Sequence, residues 1–208
     1  MLISDSHRFV FVHIRKAAGT SLRQILAPHA LPKKRHWWYK LLSRNGWPVH
    51  YHNYAFRKHA VLAEAEASMP ADLFQTYFKF AIVRNPWERL VSEFEYIKTK
   101  PKHSRHKKLS NMTFAEYIEY QSRRPAAHQV KALQLKNGQL GCDFVGKLET
   151  LPQSLSVVAA KTGLDFSALP HVNQVQRRDY RSYYQDDMAA RVGELWQADV
   201  EAFQYTFE

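Results

Sequence analysis

Two stretches of this chain gather residue types that hold anions. The first is Arg15-Lys16-Ala17-Ala18-Gly19-Thr20-Ser21. Its lysine supplies a point charge, and Thr20 and Ser21 supply hydroxyl donors. The second is Arg84-Asn85-Pro86-Trp87-Glu88-Arg89, with Ser92 two helical turns beyond Asn85. A guanidinium fork grips a phosphate through two parallel bonds, and a hydroxyl takes a remaining oxygen. The ligand chemistry common to both stretches is a phosphate or sulfate.

Each stretch needs a strand before it and a helix after it. Arg8-Phe9-Val10-Phe11-Val12-His13-Ile14 is a short, mostly apolar run that reads as a buried strand. Leu22, Ile25 and Leu26 then share one helical face. Free backbone amides at the start of that helix suit an anion cradle over Arg15, Lys16, Ala18, Gly19, Thr20 and Ser21; a strand–turn–helix whose lysine is only solvated is the alternative. Tyr77 to Arg84 is the second buried strand, with Asn85 as helix cap and Pro86 in the first turn. Arg84 therefore sits at the carboxyl end of a strand, where open α/β sheets bind ligands. Further elements follow from pattern: helices over about 57–69, 70–76, 113–123, 151–163 and 186–203, and a strand over 143–149. Gly163 is placed to end the helix before it.

The order of residues in the first turn separates it from a nucleotide-triphosphatase loop. That loop is G-x-x-x-x-G-K-[ST], with lysine after its second glycine. Here Lys16 precedes the only glycine. The stretch resembles instead the phosphosulfate loop of sulfotransferases that use 3′-phosphoadenosine 5′-phosphosulfate (PAPS), in the H-I-P-K-T-A-G-T-S form of the carbohydrate sulfotransferase family. Arg15 replaces the usual proline and Ala17 the usual threonine. Val83-Arg84-Asn85-Pro86 with Arg89 and Ser92 resembles that family's 3′-phosphate motif, V-R-N-P-x-x-R-x-x-S. Asp143-Phe144-Val145-Gly146-Lys147-Leu148-Glu149, His171-Val172-Asn173-Gln174, Tyr180 with Tyr183 and Tyr184, and Phe203-Gln204-Tyr205 are similar to later family segments.

The resemblance implies an α/β, three-layer, P-loop-like sulfotransferase fold with a mainly parallel central sheet. It implies PAPS as donor and PAP as product, with the first turn on the 5′-phosphosulfate and Arg84 and Ser92 on the 3′-phosphate. Lys16 is then the charge on the leaving side. His50, His52 and His59 lie between the two motifs, where carbohydrate sulfotransferases of similar layout carry a base. His59 is the first choice, by likeness to the 2-O-sulfotransferase branch; His52 and then Glu64 follow. Arg89 is expected in a structural ion pair, Glu149 beside a basic neighbour, and His13 buried and satisfied. The leaving group is already an anion, so no metal is required, and no metal-ligand motif is present in the sequence.

Length and composition fit this reading. The chain of 208 residues is expected to form one domain, 1–208. No apolar run approaches the ~20 residues of a membrane span, and no signal core opens the chain. With Cys142 as the only cysteine, a cytoplasmic location is expected. Net charge is +11, from 30 basic and 19 acidic residues, which suits a polyanionic partner. Basic residues cluster at Lys33-Lys34-Arg35-His36, leading into Trp37-Trp38-Tyr39-Lys40, and again over 98–108; for each, a solvated loop competes with a binding surface. The expected acceptor is a saccharide hydroxyl, with a lipid or small molecule as alternative. A P-loop phosphotransferase is disfavoured by the lysine position. A nucleic-acid-binding module lacks any helix-turn-helix, zinc-finger or RRM signature, so no nucleic-acid partner is expected.

Overall fold

The structure, a computed structural model, describes residues 1–32, 38, 41–42, 45–47, 49–53, 56–169, 179–185 and 187–207. In chain order its main elements are β1 (Leu2–Ser4), β2 (Phe9–Val12), α1 (Gly19–Leu26), α2 (Leu62–Ser68), α3 (Ala71–Thr76), β3 (Phe78–Val83), α4 (Pro86–Lys98), α5 (His106–Leu109), α6 (Phe114–Ser122), α7 (Gln129–Leu133), β4 (Phe144–Lys147), α8 (Leu151–Thr162), α9 (Met188–Leu195) and α10 (Gln197–Phe203). They divide into two compact units. Met1–Val83 joins Ala132–Val172 in the first, and Arg84–Lys131 joins Asn173–Glu208 in the second.

The first unit is an α/β body on a four-stranded sheet in the order β1-β2-β3-β4. Strands β2, β3 and β4 run parallel, as expected, and β1 adds to β2 antiparallel. The strand expected over Arg8–Ile14 forms as β2; β1, which no sequence pattern signalled, precedes it in a hairpin, where Arg8 takes a left-handed φ of 48° and turns the chain before Phe9. Alternation puts aromatic rings in register on one sheet face: Phe9 beside Phe78, and Phe11 beside Phe80 beside Phe144. Their rings meet, with Phe11 and Phe80 centroids 5.2 Å apart. Lys79, on the other face, is buried yet satisfied: its ammonium donates to the Phe74 and Tyr77 carbonyls, near the end of α3, and pairs with Asp143 at 2.9 Å. Gly146 lets α8 approach β4. A Cβ there would lie 2.6 Å from that of Ser154, whose hydroxyl accepts from the Lys147 amide and donates to its carbonyl. Gly163 ends α8 at φ 70°, as expected.

The second unit packs helices around α4. Phe94, Phe114 and Tyr117 form its aromatic cluster. Thr113 caps α6 through the Glu116 amide. The single helix expected over 186–203 is two, α9 and α10, parted at Trp196 (φ −112°, ψ 25°). The break accompanies the burial of two side chains: Trp196, whose Nε1–H donates to the Ala127 carbonyl at 3.1 Å, and Asp199.

The basic run 98–108 is partly absorbed by packing. Arg105 pairs with buried Glu93. Lys98 lies over the Phe94 ring and Lys108 over the Tyr120 ring, while Lys100, Lys102 and Lys107 are exposed. The basic residues 33–36, with Trp37, Tyr39 and Lys40, and the segment His171-Val172-Asn173-Gln174 lie outside the described residues.

Candidate active site

The turn that follows β2 is shaped by backbone strain and by one ring. Lys16 and Ala18 both take left-handed conformations, φ 62° and φ 51°. For residues with a Cβ this costs roughly 1–2 kcal/mol each. Gly19 is not left-handed; it is glycine because the buried His13 ring lies against it. A Cβ on Gly19 would be 2.0 Å from His13 Cδ2 and Nε2. Helix α1 starts there, its first ring closed by the Leu22 amide on the Ala18 carbonyl at 3.1 Å. The amides of Gly19, Thr20 and Ser21 therefore belong to the turn whose donors have no acceptor within the helix. Ala18 offers no side-chain cap and the first turn carries no acid, so the positive end of α1 stays open to an anion. Thr20 is exposed, Ser21 half-buried. Ala17, where a threonine hydroxyl was missed, is buried in the core.

His59 belongs to the same unit. It was expected to begin a helix, but α2 starts at Leu62 and His59 lies in the turn before it. Its Nδ1–H donates to the His13 carbonyl at 3.0 Å. A carbonyl only accepts, so neutral His59 holds its proton on Nδ1 and its lone pair on Nε2. The two imidazole centroids are 4.6 Å apart. Burial pushes His59 down to about 4; the His13 carbonyl bond opposes this, and Arg15, Lys58 and the terminal amine add to it. His13 is pushed down to about 2 by burial first, then by His59, Lys58, the amino terminus and Arg23. Both rings are neutral at pH 7.

These causes reveal a concentration of cations that motif reading did not find. Arg23 stands one helical turn after Gly19, and Lys58 directly precedes His59. Spacing from Gly19 could have signalled Arg23; nothing local distinguishes Lys58 from other surface lysines. His13 is buried as expected but not satisfied. Its Nδ1, and Arg23 Nη1, are buried without a hydrogen-bond partner among the described residues.

The other candidate bases hold structural bonds. His52 Nε2 is 2.6 Å from Asp5 Oδ2, and the other Asp5 oxygen accepts from Tyr51 and Tyr77 hydroxyls. Glu64 accepts from the Val61 amide at the start of α2 and pairs with Arg57. His59 is thus the candidate tied to the residue that packs on Gly19.

In the second unit, Asn85 caps α4 as expected, its Oδ1 accepting from the Trp87 and Glu88 amides at 3.0 and 3.4 Å. Arg84 is buried, at 4% exposure, and its Nη2 pairs with Glu88. Ser92, one turn after Glu88, is also buried. Arg89 corrects an expectation: its fully buried guanidinium donates to the Ala127 carbonyl rather than to a carboxylate. The late tyrosines and the chain end brace this turn. Tyr184 donates to the Trp87 carbonyl at 2.8 Å, and Asn85 Nδ2 donates to Thr206.

A family model described as "Sulfotransferase family" matches residues 1–206. The chain belongs to the sulfotransferase family. Among curated proteins it is similar to an uncharacterized protein of Archaeoglobus fulgidus, 29% identical over 110 residues, covering 52% of this chain and 87% of that protein. Among solved structures it is similar in fold to mouse sulfotransferase SULT7A1 complexed with PAP. That match has a TM-score of 0.55 at 15% identity, covering 96% of this chain and 86% of the mouse chain. Among the described residues of this sulfotransferase, no group of three or more His, Cys, Asp or Glu side chains could hold a metal ion. Among the described residues, no helix is long and apolar enough to cross a membrane.

Proposed function

We propose that this sulfotransferase moves a sulfuryl group from PAPS to a hydroxyl of a saccharide. The observation that carries the reading is the turn after β2: open first-turn amides of α1, flanked by Lys16 and Arg15, with His59 held beside His13. An anionic sulfate-bearing group fits that turn because first-turn amides and cations favour negative charge there. The mouse sulfotransferase of similar fold is a PAP complex, which supports an adenosine 3′,5′-bisphosphate as the product here.

PAPS supplies an activated sulfuryl group on a phosphate leaving group. Lys16 holds positive charge where the bridging oxygen gains negative charge, and the Gly19, Thr20 and Ser21 amides hold the rest of that end. Arg15 adds to this field, and Ala18 contributes the left-handed step that aims the amides. His59 Nε2 takes the proton of the acceptor hydroxyl as the new S–O bond forms. Its depressed pKa keeps it deprotonated at neutral pH. Arg84 and Ser92 take the 3′-phosphate by likeness of their motif to the family's. The net charge of +11 favours an anionic glycan as acceptor.

Radiolabelled PAPS offered with sulfated and neutral polysaccharides, simple alcohols, phenols and lipids tests the reading. Label should enter a polysaccharide, and Lys16→Ala should abolish its entry. Label entering only a lipid or small alcohol would replace the acceptor while retaining the donor. No transfer to any acceptor, with no PAP binding, would overturn the whole assignment.

A further inference from the structure

Gln129 makes an unusual pair of bonds. Its Oε1 accepts from the Arg84 amide at 3.0 Å, and its Nε2 donates to the Arg84 carbonyl at 2.8 Å. One side-chain amide thus satisfies both backbone groups of the residue just past the end of β3. Gln129 is 2% exposed, so these bonds are shielded from water and expensive to leave unmade. Gln129 is itself held. Both oxygens of the fully buried Asp199 accept from consecutive amides, Gln129 and Val130, at 2.8 Å each. Two residues before Gln129, the Ala127 carbonyl accepts from Trp196 Nε1 and from the Arg89 guanidinium. His128 stacks on Trp196 with centroids 5.3 Å apart. The turn 127–130 is therefore clamped from α10 by Asp199, from the α9–α10 break by Trp196, and from α4 by Arg89.

We propose that Gln129 is a positioning residue for the donor's 3′-phosphate, acting through the Arg84 backbone, with Asp199 and Arg89 holding Gln129 in place. The proposal rests on the assignment of Arg84 to that phosphate. A guanidinium grips a phosphate bidentately only when its stem is aimed. The Arg84 backbone runs directly into the Asn85 cap, and Gln129 fixes the two peptide groups that flank the Arg84 stem. In this scheme Arg89 reaches the ligand site only indirectly, through the carbonyl two residues before Gln129.

Titration calorimetry with PAP and with adenosine 5′-monophosphate, which lacks the 3′-phosphate, separates the possibilities. The unmodified protein should prefer PAP by about tenfold or more. Gln129→Met should lose most of that preference while its affinity for adenosine 5′-monophosphate stays within about twofold. Asp199→Asn, which keeps one acceptor, should do the same to a smaller degree. Gln129→Glu, which keeps the shape but loses the donor, gives the same readout should Gln129→Met fail to fold. An unmodified protein that binds both nucleotides equally would defeat the Arg84 assignment. A normal preference in the unmodified protein that persists in the folded variants would defeat the role of Gln129. So would an equal loss of both affinities, which is the mark of a merely structural residue.

Discussion

At the head of α1 the backbone holds the turn in shape; at the head of α4 side chains do. The first turn contains two left-handed residues, no side-chain cap and a glycine pressed against an imidazole. The second contains a side-chain cap, a guanidinium paired with Glu88, and a peptide clamped by Gln129. The first leaves amides open. The second holds its arginine through Glu88 and Gln129, with Asp199 in turn holding Gln129 and the Thr206 carbonyl holding the Asn85 cap. Open amides suit a group whose charge changes during reaction, because their dipoles are already aimed where the charge develops. An enclosed, oriented guanidinium suits a charge that stays constant. Under the proposed function these are the leaving end of the donor and its spectator phosphate.

The contrast breaks most sharply at His59. His59→Ala should lower turnover by about 10²–10⁴-fold with PAP affinity unchanged in calorimetry; full activity would remove it from the base role. Gly19→Ala should lower turnover by about a hundredfold, since its Cβ meets the His13 ring. Pairing it with His13→Ala should restore part of the loss, and no recovery would show that the ring is not the obstacle. Arg84→Ala should weaken PAP by about 10–100-fold while leaving kcat at saturating donor nearly intact. Glu88→Gln should tighten PAP a few-fold, because the arginine then loses a competing carboxylate; weakened binding would mean that Glu88 serves the ligand. The smallest effect concerns stability. His13 and His59 stay neutral when folded, at about 2 and about 4, whereas the unfolded chain takes up protons on both from about pH 6.5 downward. Their contribution is present above that pH and is lost as pH falls toward 4 for His59 and toward 2 for His13. Melting temperatures from pH 7.5 to 4.5 should decline, and His59→Asn should make the decline shallower.

Much of this was legible along the chain. The buried runs before each turn, Pro86 with Asn85 and the glycine at 163 are local signals, and the structure places each as its pattern indicated. Gly19 was legible as a feature of the turn but not in its reason: a steric approach by a ring six residues earlier, not a left-handed angle. The split of the last helix was hidden because its apolar pattern continues through Trp196, and only the packing of that indole on Ala127 explains where it breaks.

The sequence by itself determined the family and the two strand–turn–helix stretches in their order, since each is a short run whose residue types act on their own neighbours. Tertiary structure decided which histidine stands by the first turn, how cations from positions 15, 23 and 58 come to bear on it, and that Asp199 holds Gln129, which in turn holds the Arg84 backbone. Those partners are tens of residues apart in sequence. Burial, which lowers the two histidine pKa values and makes each Gln129 bond costly to break, exists only once the chain has closed around them.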